Sequence, residues 1–537
     1  MKERNLLLLL VLLAVTTFFV NNSALPTDIM EARNLVTARE IVADGNWMVP
    51  TMNGELRLEK PPLPTWVAAA IESVAPDNLA AQRLAPGIMG VLWTVYLVLL
   101  TAKVSRRRKL GYTAGIVFLT CYQIVLMGRT ATWDIYCHAF MTAAIYYLYC
   151  GLSADKSHQW RYLPMAGVMM GLSFLSKGPV SFYALLLPWL LAAVATLRLS
   201  ARGKWKALTC MIVLCLALGA AWYIYLYAFE PKAVQQVIDK ETGSWAHRNV
   251  RPWWYYWRYF AEMGIWALLT LAALALRYWK RVLPEWRTYM MAALWVIACV
   301  VLLSFMPEKK YRYLLPAMAP CAIAVACLVY HMHEANDRAS LVLWQVHRWL
   351  IAVVVVAMAV AVWVMQLLPV WQAVMLTVLC LALAVDVARP LRGDSRSWRL
   401  LLGAAGAFML IECFLMGSIA KAMGNPGSHS IAATRHMPQL HSLPFYFPQG
   451  DSLRIEIVYQ AHRKILPLNM ADSANVVSHT PMVLVSSRWN SAVLSPAILS
   501  RVDTVMVGTY DDNTRPRGSR HYQQCFVNHV TIIKPKK

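Results

Sequence analysis

Residues 84–109 read LAPGIMGVLWTVYLVLLTAKVSRRRK, an apolar run that ends on a cluster of cations. About twenty such residues in a helix cross the hydrocarbon core of a bilayer. The cluster Arg106, Arg107, Arg108 and Lys109 holds that end on the cytoplasmic side, because Lys and Arg accumulate in cytoplasmic loops. Both features recur outward from here. Apolar runs lie at 6–20, 84–103, 111–127, 135–152, 162–176, 179–197, 207–228, 259–277, 288–305, 313–331, 348–367, 371–388 and 399–418. The pattern predicts a polytopic α-helical membrane protein with about thirteen transmembrane helices.

Composition agrees. Of 537 residues, 58% are hydrophobic and 15% charged, and the mean hydropathy is +0.45. That balance excludes a string of soluble domains. The net charge of +23 is spread in short clusters between apolar runs. It reads as a topology signal and not as a nucleic-acid footprint, so a nucleic-acid partner is not expected. Of eleven cysteines, only Cys525 falls outside the apolar region, and no CxxC spacing occurs. This is neither a disulfide framework nor a zinc-binding pattern.

With the N-terminus inside, the cytoplasmic loops become 106–109, 156–161, 198–206, 277–287, 331–348 and 389–399, and all contain Lys or Arg. The loops left outside are 21–83, 128–134, the 177–179 corner, 229–258, 306–312, a turn near Pro369 and everything after 418. Lys2 and Arg4 ahead of residues 6–20 read as a signal peptide or as an uncleaved first span. The mediocre cleavage stretch Asn21-Asn22-Ser23-Ala24 favours the span.

The first external loop has its own pattern. Residues 28–43 read as a helix with Thr27 as N-cap. Asp28, Glu31 and Leu35 follow at i, i+3 and i+7, which puts both carboxylates on one face. Turn chemistry at 45–50 and Asn53-Gly54 precedes LEKPP, residues 58–62, and an amphipathic segment at 65–74. Proline fixes φ and pushes the residue before it toward extended geometry, so Glu59 and Lys60 stand on a stiff backbone. They read either as groups presented to a phosphate or sugar, or as a surface ion pair before a helix. Beyond 418, alternating segments at 453–458, 482–486, 504–508 and 525–533 predict a small extracytoplasmic α/β domain. The expected organisation is a transmembrane domain, 1–418, and a soluble domain, 419–537.

The external loops also collect cations against the positive-inside bias. They hold Arg33 and Lys60 in the first loop, Arg129 with Asp134 in GRTATWD, Lys177 in the next corner, and Lys309, Lys310 and Arg312 beside Tyr311 in PEKKYRYLLP. An anionic ligand accounts for them, and phosphate suits Arg through paired contacts and Lys as a point charge. Carboxylates beside such cations suit general-base work on an acceptor while the cations hold a leaving phosphate. Singly, each cation reads as well as a side chain reaching for lipid headgroups. Spread over four loops, the set points to a shared site. The aromatic stretch 245–259 reads equally as a mobile lid and as an interfacial belt.

Asp28 with Glu31-Ala32-Arg33, the run AREIVADGNWMVPTMNGELRLEKPPLPTW, the Arg129 to Asp134 loop, LSKGP at 175–179 and KKYRYLLP together resemble the GT-C glycosyltransferases. The similarity is to the bacterial aminoarabinose transferase and protein O-mannosyltransferase group, over most of the chain and most strongly over 27–67. The resemblance implies a helical membrane enzyme with juxtamembrane helices in its first external loop and a soluble C-terminal domain. The loop charges put the site outside, so the expectation is a monomer of the inner membrane whose site faces the periplasm. Its reaction would move a sugar from a polyprenyl-phosphate donor to a lipid, such as lipid A, or to a protein acceptor.

Carried over by position, Glu59 and Lys60 match the family's EKPP pair, with Lys60 near the donor phosphate, and Asp134 matches the acidic residue of the second external loop. Arg33, Arg129, Lys177, Lys309, Lys310, Tyr311 and Arg312 would contact phosphate or acceptor. Relatives carry Asp-Glu before Ala-Arg, whereas this chain has Met30-Glu31. Either Asp28 replaces the missing Asp or Glu31 acts alone. The resemblance also implies a possible divalent metal ion between Glu59 and a tail histidine, here His429, although a solvated loop histidine is the plainer reading. The rival class is a transporter or flippase of an anionic lipid. Transporters place ionisable groups at mid-membrane and show repeated halves, and neither is visible here.

Overall fold

The computed structural model describes residues 2–153, 158–235, 237–239, 249–333, 335, 337–389 and 396–536. Part of the aromatic stretch (245–248) and parts of the basic loops 156–161, 331–348 and 389–399 lie outside the described residues. The chain divides into two compact units. The first comprises Met1–Ser23, Leu58–Val67 and Asp77–Met416; the second comprises Ala24–Arg57, Ala68–Pro76 and Gly417–Lys537. The division near 416 lies close to the expected boundary at 418. The difference is that most of the first loop groups with the tail.

The first unit is helical. It begins with α1 (Glu3–Phe19), and helical segments lie at each of the thirteen expected positions. Among the described residues, eight helices are long and apolar enough to cross a membrane. A ninth counts if the pair Trp253–Ala272 and Leu276–Val282, bent by 77°, is one span. The expected count of thirteen is therefore not confirmed. The shortfall has local causes. α1 has 17 residues, and the 111–127 run breaks into Arg108–Leu119 and Tyr122–Met127. Helix Gln159–Lys177 carries Gln159, Arg161 and Lys177 at its ends, and the 179–197 run opens with a π-turn at Phe182–Leu186. Broken helices survive at membrane depth where neighbours satisfy the freed polar groups. At one such break the Trp266 indole N–H donates to Thr120 Oγ1 at 2.7 Å.

Exposure separates lipid-facing from central helices. Trp205–Phe229 and Val370–Ala388 leave Val213, Leu216, Ile224, Val378 and Leu381 exposed. Met318–His331 is apolar all round and buried along almost its whole length, which suits a central position. Close approach is arranged by small residues: a Cβ on Gly90 or Gly128 would lie 2.5 or 2.3 Å from the Phe18 ring. Phe18 is fully buried, so α1 is keyed into the helix Leu84–Ser105 through its ring.

The second unit begins with α2 (Ile29–Asp44). Its N-cap is Asp28, one residue later than expected, because the Asp28 carboxylate accepts from both Met30 N–H and Glu31 N–H at 2.8 Å. Gly45 ends α2 at φ 71°, the left-handed geometry that favours glycine. A hairpin follows, β1 (Thr51–Met52) and β2 (Glu55–Leu56), turning on Asn53 and Gly54 at φ 54° and 81°. The buried Glu40 carboxylate accepts from Thr51 Oγ1 at 2.7 Å, Asn53 N–H at 2.5 Å and Gly54 N–H at 3.1 Å. α3 (Leu63–Val74), whose first residues belong to the first unit and whose remainder belongs to the second, realises the amphipathic segment.

The tail forms a mixed sheet of β3 (Phe445–Pro448), β4 (Ile465–Leu468), β5 (Met482–Ser486), β6 (Val502–Asp511) and β7 (Val527–Pro535), in the order β4-β3-β5-β7-β6. Three of the four expected strands are present. The fourth segment, 453–458, is instead the start of the helix Ile455–Ala461. Its six-residue alternation also fits a helical face, and it buries Ile457, Val458 and Ala461, with Arg39 of α2 lying 5.4 Å over the Tyr459 ring. Asn53 closes the β4 edge. Its side chain accepts from Ile465 N–H at 2.8 Å and donates to Ile465 O at 2.7 Å.

Candidate active site

Helix polarity brings the first pair together. Asp134 lies in the first turn of Trp133–Ser153, and Lys177 is the last residue of Gln159–Lys177. A carboxylate at a helix N-terminus and an ammonium at a helix C-terminus are each favoured by the backbone dipole. The two ends meet, and Lys177 Nζ donates to Asp134 Oδ1 with both side chains buried. The corner holds because Gly178 takes a positive φ of 70° and Pro179 starts the next segment. One turn further in, Ser181 Oγ and His138 Nδ1 are 2.9 Å apart, and Ser173 Oγ donates to Cys137 O at 2.8 Å. Three polar rungs thus lock Trp133–Ser153 to Gln159–Lys177 and to the segment after the corner.

A second group joins through Tyr313. Its ring centroid is 5.8 Å from Lys177 Nζ and 5.5 Å from Lys310 Nζ. The Tyr313 hydroxyl donates to Glu308 Oε2 at 3.0 Å, and Lys310 Nζ lies 2.6 Å from Glu308 Oε1. Burial would raise the Glu308 carboxyl, but Lys310 and the Tyr313 hydroxyl outweigh it and hold the group below the usual glutamate range. The Tyr256 hydroxyl accepts from Lys310 N–H at 3.1 Å, and Lys309 N–H donates to Asn249 O at 3.1 Å. Arg312 is buried, and its charge acts on Asp134 along with that of Lys177. Asp134 Oδ2 and the neighbouring Trp133 Nε1 are buried without a hydrogen-bond partner among the described residues.

The structure gathers Asp134, Lys177, Lys310 and Arg312 from the expected set, with Glu308, Tyr313 and Tyr256 around them. It places others elsewhere. Arg129 is fully buried and donates to Thr16 O at 2.7 Å, Val20 O at 2.8 Å and Asn21 O at 3.2 Å. It caps the C-terminus of α1, where orphan carbonyls need donors, and its guanidinium is occupied by backbone. Lys309 is buried with Nζ donating to Met306 O at 2.5 Å, whereas Tyr311 is half exposed and accepts from Gln123 Nε2 through its carbonyl.

Glu59 and Lys60 belong to the first unit, half-buried in the bend before α3, with Pro61 and Pro62 buried behind them. Asp28, Glu31 and Arg33 fall in the second unit, where Asp28 caps α2 and Glu31 is fully buried. His429 is in that unit too, paired with Asp511 through backbone and with its ring 5.1 Å from Tyr510. Among the described residues no group of three or more His, Cys, Asp or Glu converges to hold a metal ion. Glu59 lies in the first unit and His429 in the second. Tyr256 escaped the sequence reading because it stands in a run of aromatics, where one hydroxyl partner leaves no mark.

The comparisons match this architecture. Residues 59–225 match the family of dolichyl-phosphate-mannose-protein mannosyltransferases. An undecaprenyl phosphate-α-4-amino-4-deoxy-L-arabinose arabinosyl transferase from Shewanella sediminis is 28% identical over 337 residues, 58% of each chain. A second, from Proteus mirabilis, is 27% identical over 358 residues, 63% of this chain and 61% of its own. The alignment with the first of these curated relatives thus spans somewhat over half of its length. The crystal structure of ArnT from Cupriavidus metallidurans bound to undecaprenyl phosphate covers 99% of this chain and 98% of its own, with a TM-score of 0.74 at 17% identity. The same protein in the apo state gives 0.69 at 16%, over 98% and 97% of the two chains.

The chain is a polytopic helical membrane protein with the GT-C fold. Within that class it is similar to the aminoarabinose transferases.

Proposed function

We propose that the chain is a membrane glycosyltransferase that takes a sugar from a polyprenyl-phosphate donor and places it on a lipid acceptor of the lipid A type. Its site would face the periplasmic side of the inner membrane. The observation that carries this reading is the buried Asp134–Lys177 pair beside Arg312 and Lys310, in a fold shared with a protein crystallised with undecaprenyl phosphate. Lys177 and Arg312 would hold the donor phosphate, with Lys60 as a third cation. Asp134 is tied to Lys177 and positions that ammonium. Removing the acceptor's proton then falls to Glu59, which lies in the same unit as these cations. The acceptor oxygen bonds to the anomeric carbon, the bond from that carbon to the phosphate oxygen breaks, and polyprenyl phosphate leaves with the electron pair.

The names of the relatives make undecaprenyl-phosphate-linked 4-amino-4-deoxy-L-arabinose the first donor to test, with a protein acceptor as the other arm. Purified protein with that donor and lipid A should release undecaprenyl phosphate and yield glycosylated lipid A. Lys177→Ala should lower turnover by about 100-fold or more, as loss of a transition-state cation does. Movement of intact donor across a vesicle without cleavage would overturn the proposal in favour of transport.

A further inference from the structure

The second unit holds a cavity of about 560 Å³ lined by Asn425, Thr509, Asp511, Arg517 and Tyr522, within the usual size range of small-molecule sites, about 300–1,000 Å³. It is a built feature. The loop between β6 and β7 is closed at its base by Asn513, whose side chain donates to Gln523 O at 3.0 Å and accepts from Gln523 N–H at 2.9 Å. Asp511 anchors the same loop, accepting from Asn513 N–H at 2.9 Å and from the Tyr522 hydroxyl at 2.8 Å. On this fastened loop Arg515, Arg517 and Arg520 are exposed, and Arg517 acts on the Tyr522 hydroxyl. On β6, Thr509 Oγ1 meets His529 Nδ1 at 2.8 Å, and the His529 ring stacks on Trp489 at 3.9 Å. Trp489 is 58% exposed.

We propose that this cleft binds a phosphorylated saccharide, with the phosphate on Arg517 and the sugar ring among Tyr522, Thr509 and Asn425. An arginine on a loop fastened at its base favours phosphate, since little backbone freedom is left to lose on binding. Tyrosine, threonine and asparagine supply the aromatic face and the neutral hydrogen-bonding groups that ring hydroxyls need. The proposal does not depend on the transfer reaction, because binding is read without donor or turnover.

The test uses the full chain in nanodiscs of neutral phosphatidylcholine and calorimetric titration with glucosamine 1-phosphate, glucosamine and inorganic phosphate. Glucosamine 1-phosphate should bind at least about tenfold more tightly than either alternative, and Arg517→Ala should weaken it by about tenfold, the loss of one charge-assisted contact. Tyr522→Phe should weaken it less, and Lys177→Ala should leave it unchanged. Equal binding of inorganic phosphate, or loss of binding in Lys177→Ala with Arg517→Ala unaffected, would overturn the assignment. A second arm separates free ligand from membrane: binding seen only with vesicles containing phosphatidylglycerol would make the loop a lipid contact and refute the sugar site.

Discussion

Lys177 and Asp134 form an ion pair inside the helical unit, with side-chain exposures of 7% and 2%. At that depth neither charge has water to fall back on, so each depends on the other. Asp134→Ala should destabilise the folded protein by about 3–5 kcal/mol, because it leaves a buried ammonium uncompensated. The double variant Asp134→Leu/Lys177→Met should be more stable than either single variant in thermal unfolding, while remaining inactive. Additive losses in that cycle would show that the two groups are not coupled.

Arg129 makes a contrasting prediction. Its three bonds to the carbonyls ending α1 assign it to stability. Arg129→Ala should cost about 3 kcal/mol or more and lower the yield of folded protein. The fraction that does fold should keep the wild-type KM for donor. A KM raised many-fold with unchanged melting temperature would instead return Arg129 to the phosphate.

Glu308 predicts a pH dependence. Its carboxyl is held below its ordinary value of 4.5 by Lys310 and the Tyr313 hydroxyl. A depressed carboxyl contributes stability that is complete above the unfolded value and is lost as pH falls through the folded one. Melting temperatures should therefore decline as pH falls below about 4.5. Glu308→Gln should show a shallower decline over the same window, and an unchanged slope would contradict the arrangement.

Glu40 tests the second unit. Its carboxylate gathers three donors from the β1–β2 hairpin. Glu40→Ala should cost about 2–3 kcal/mol by stranding buried N–H groups. Limited proteolysis should then cut within 45–57 well before the rest of the chain, and resistance equal to wild type would refute the role.

How far the sequence reached follows from particular residues. Helical segments occur at every expected position, and Met482–Ser486 was legible as a strand, since each rests on hydrophobicity or alternation within a short window. Residues 453–458 misread because six alternating residues fit a strand and a helical face alike. In the external loops, the bias of Lys177 and Lys310 against cytoplasmic placement was readable, yet Arg129 carried the same signal and became a helix cap.

By itself the sequence determined that this chain is a helical membrane protein and which loops hold its unusual charges. Hydropathy is a sum over neighbours along the chain, so no distant contact is needed to read it. Only the tertiary structure decided which charges meet. Asp134 and Lys177 are 43 residues apart, and their pairing depends on how two helices pack, which no local window contains.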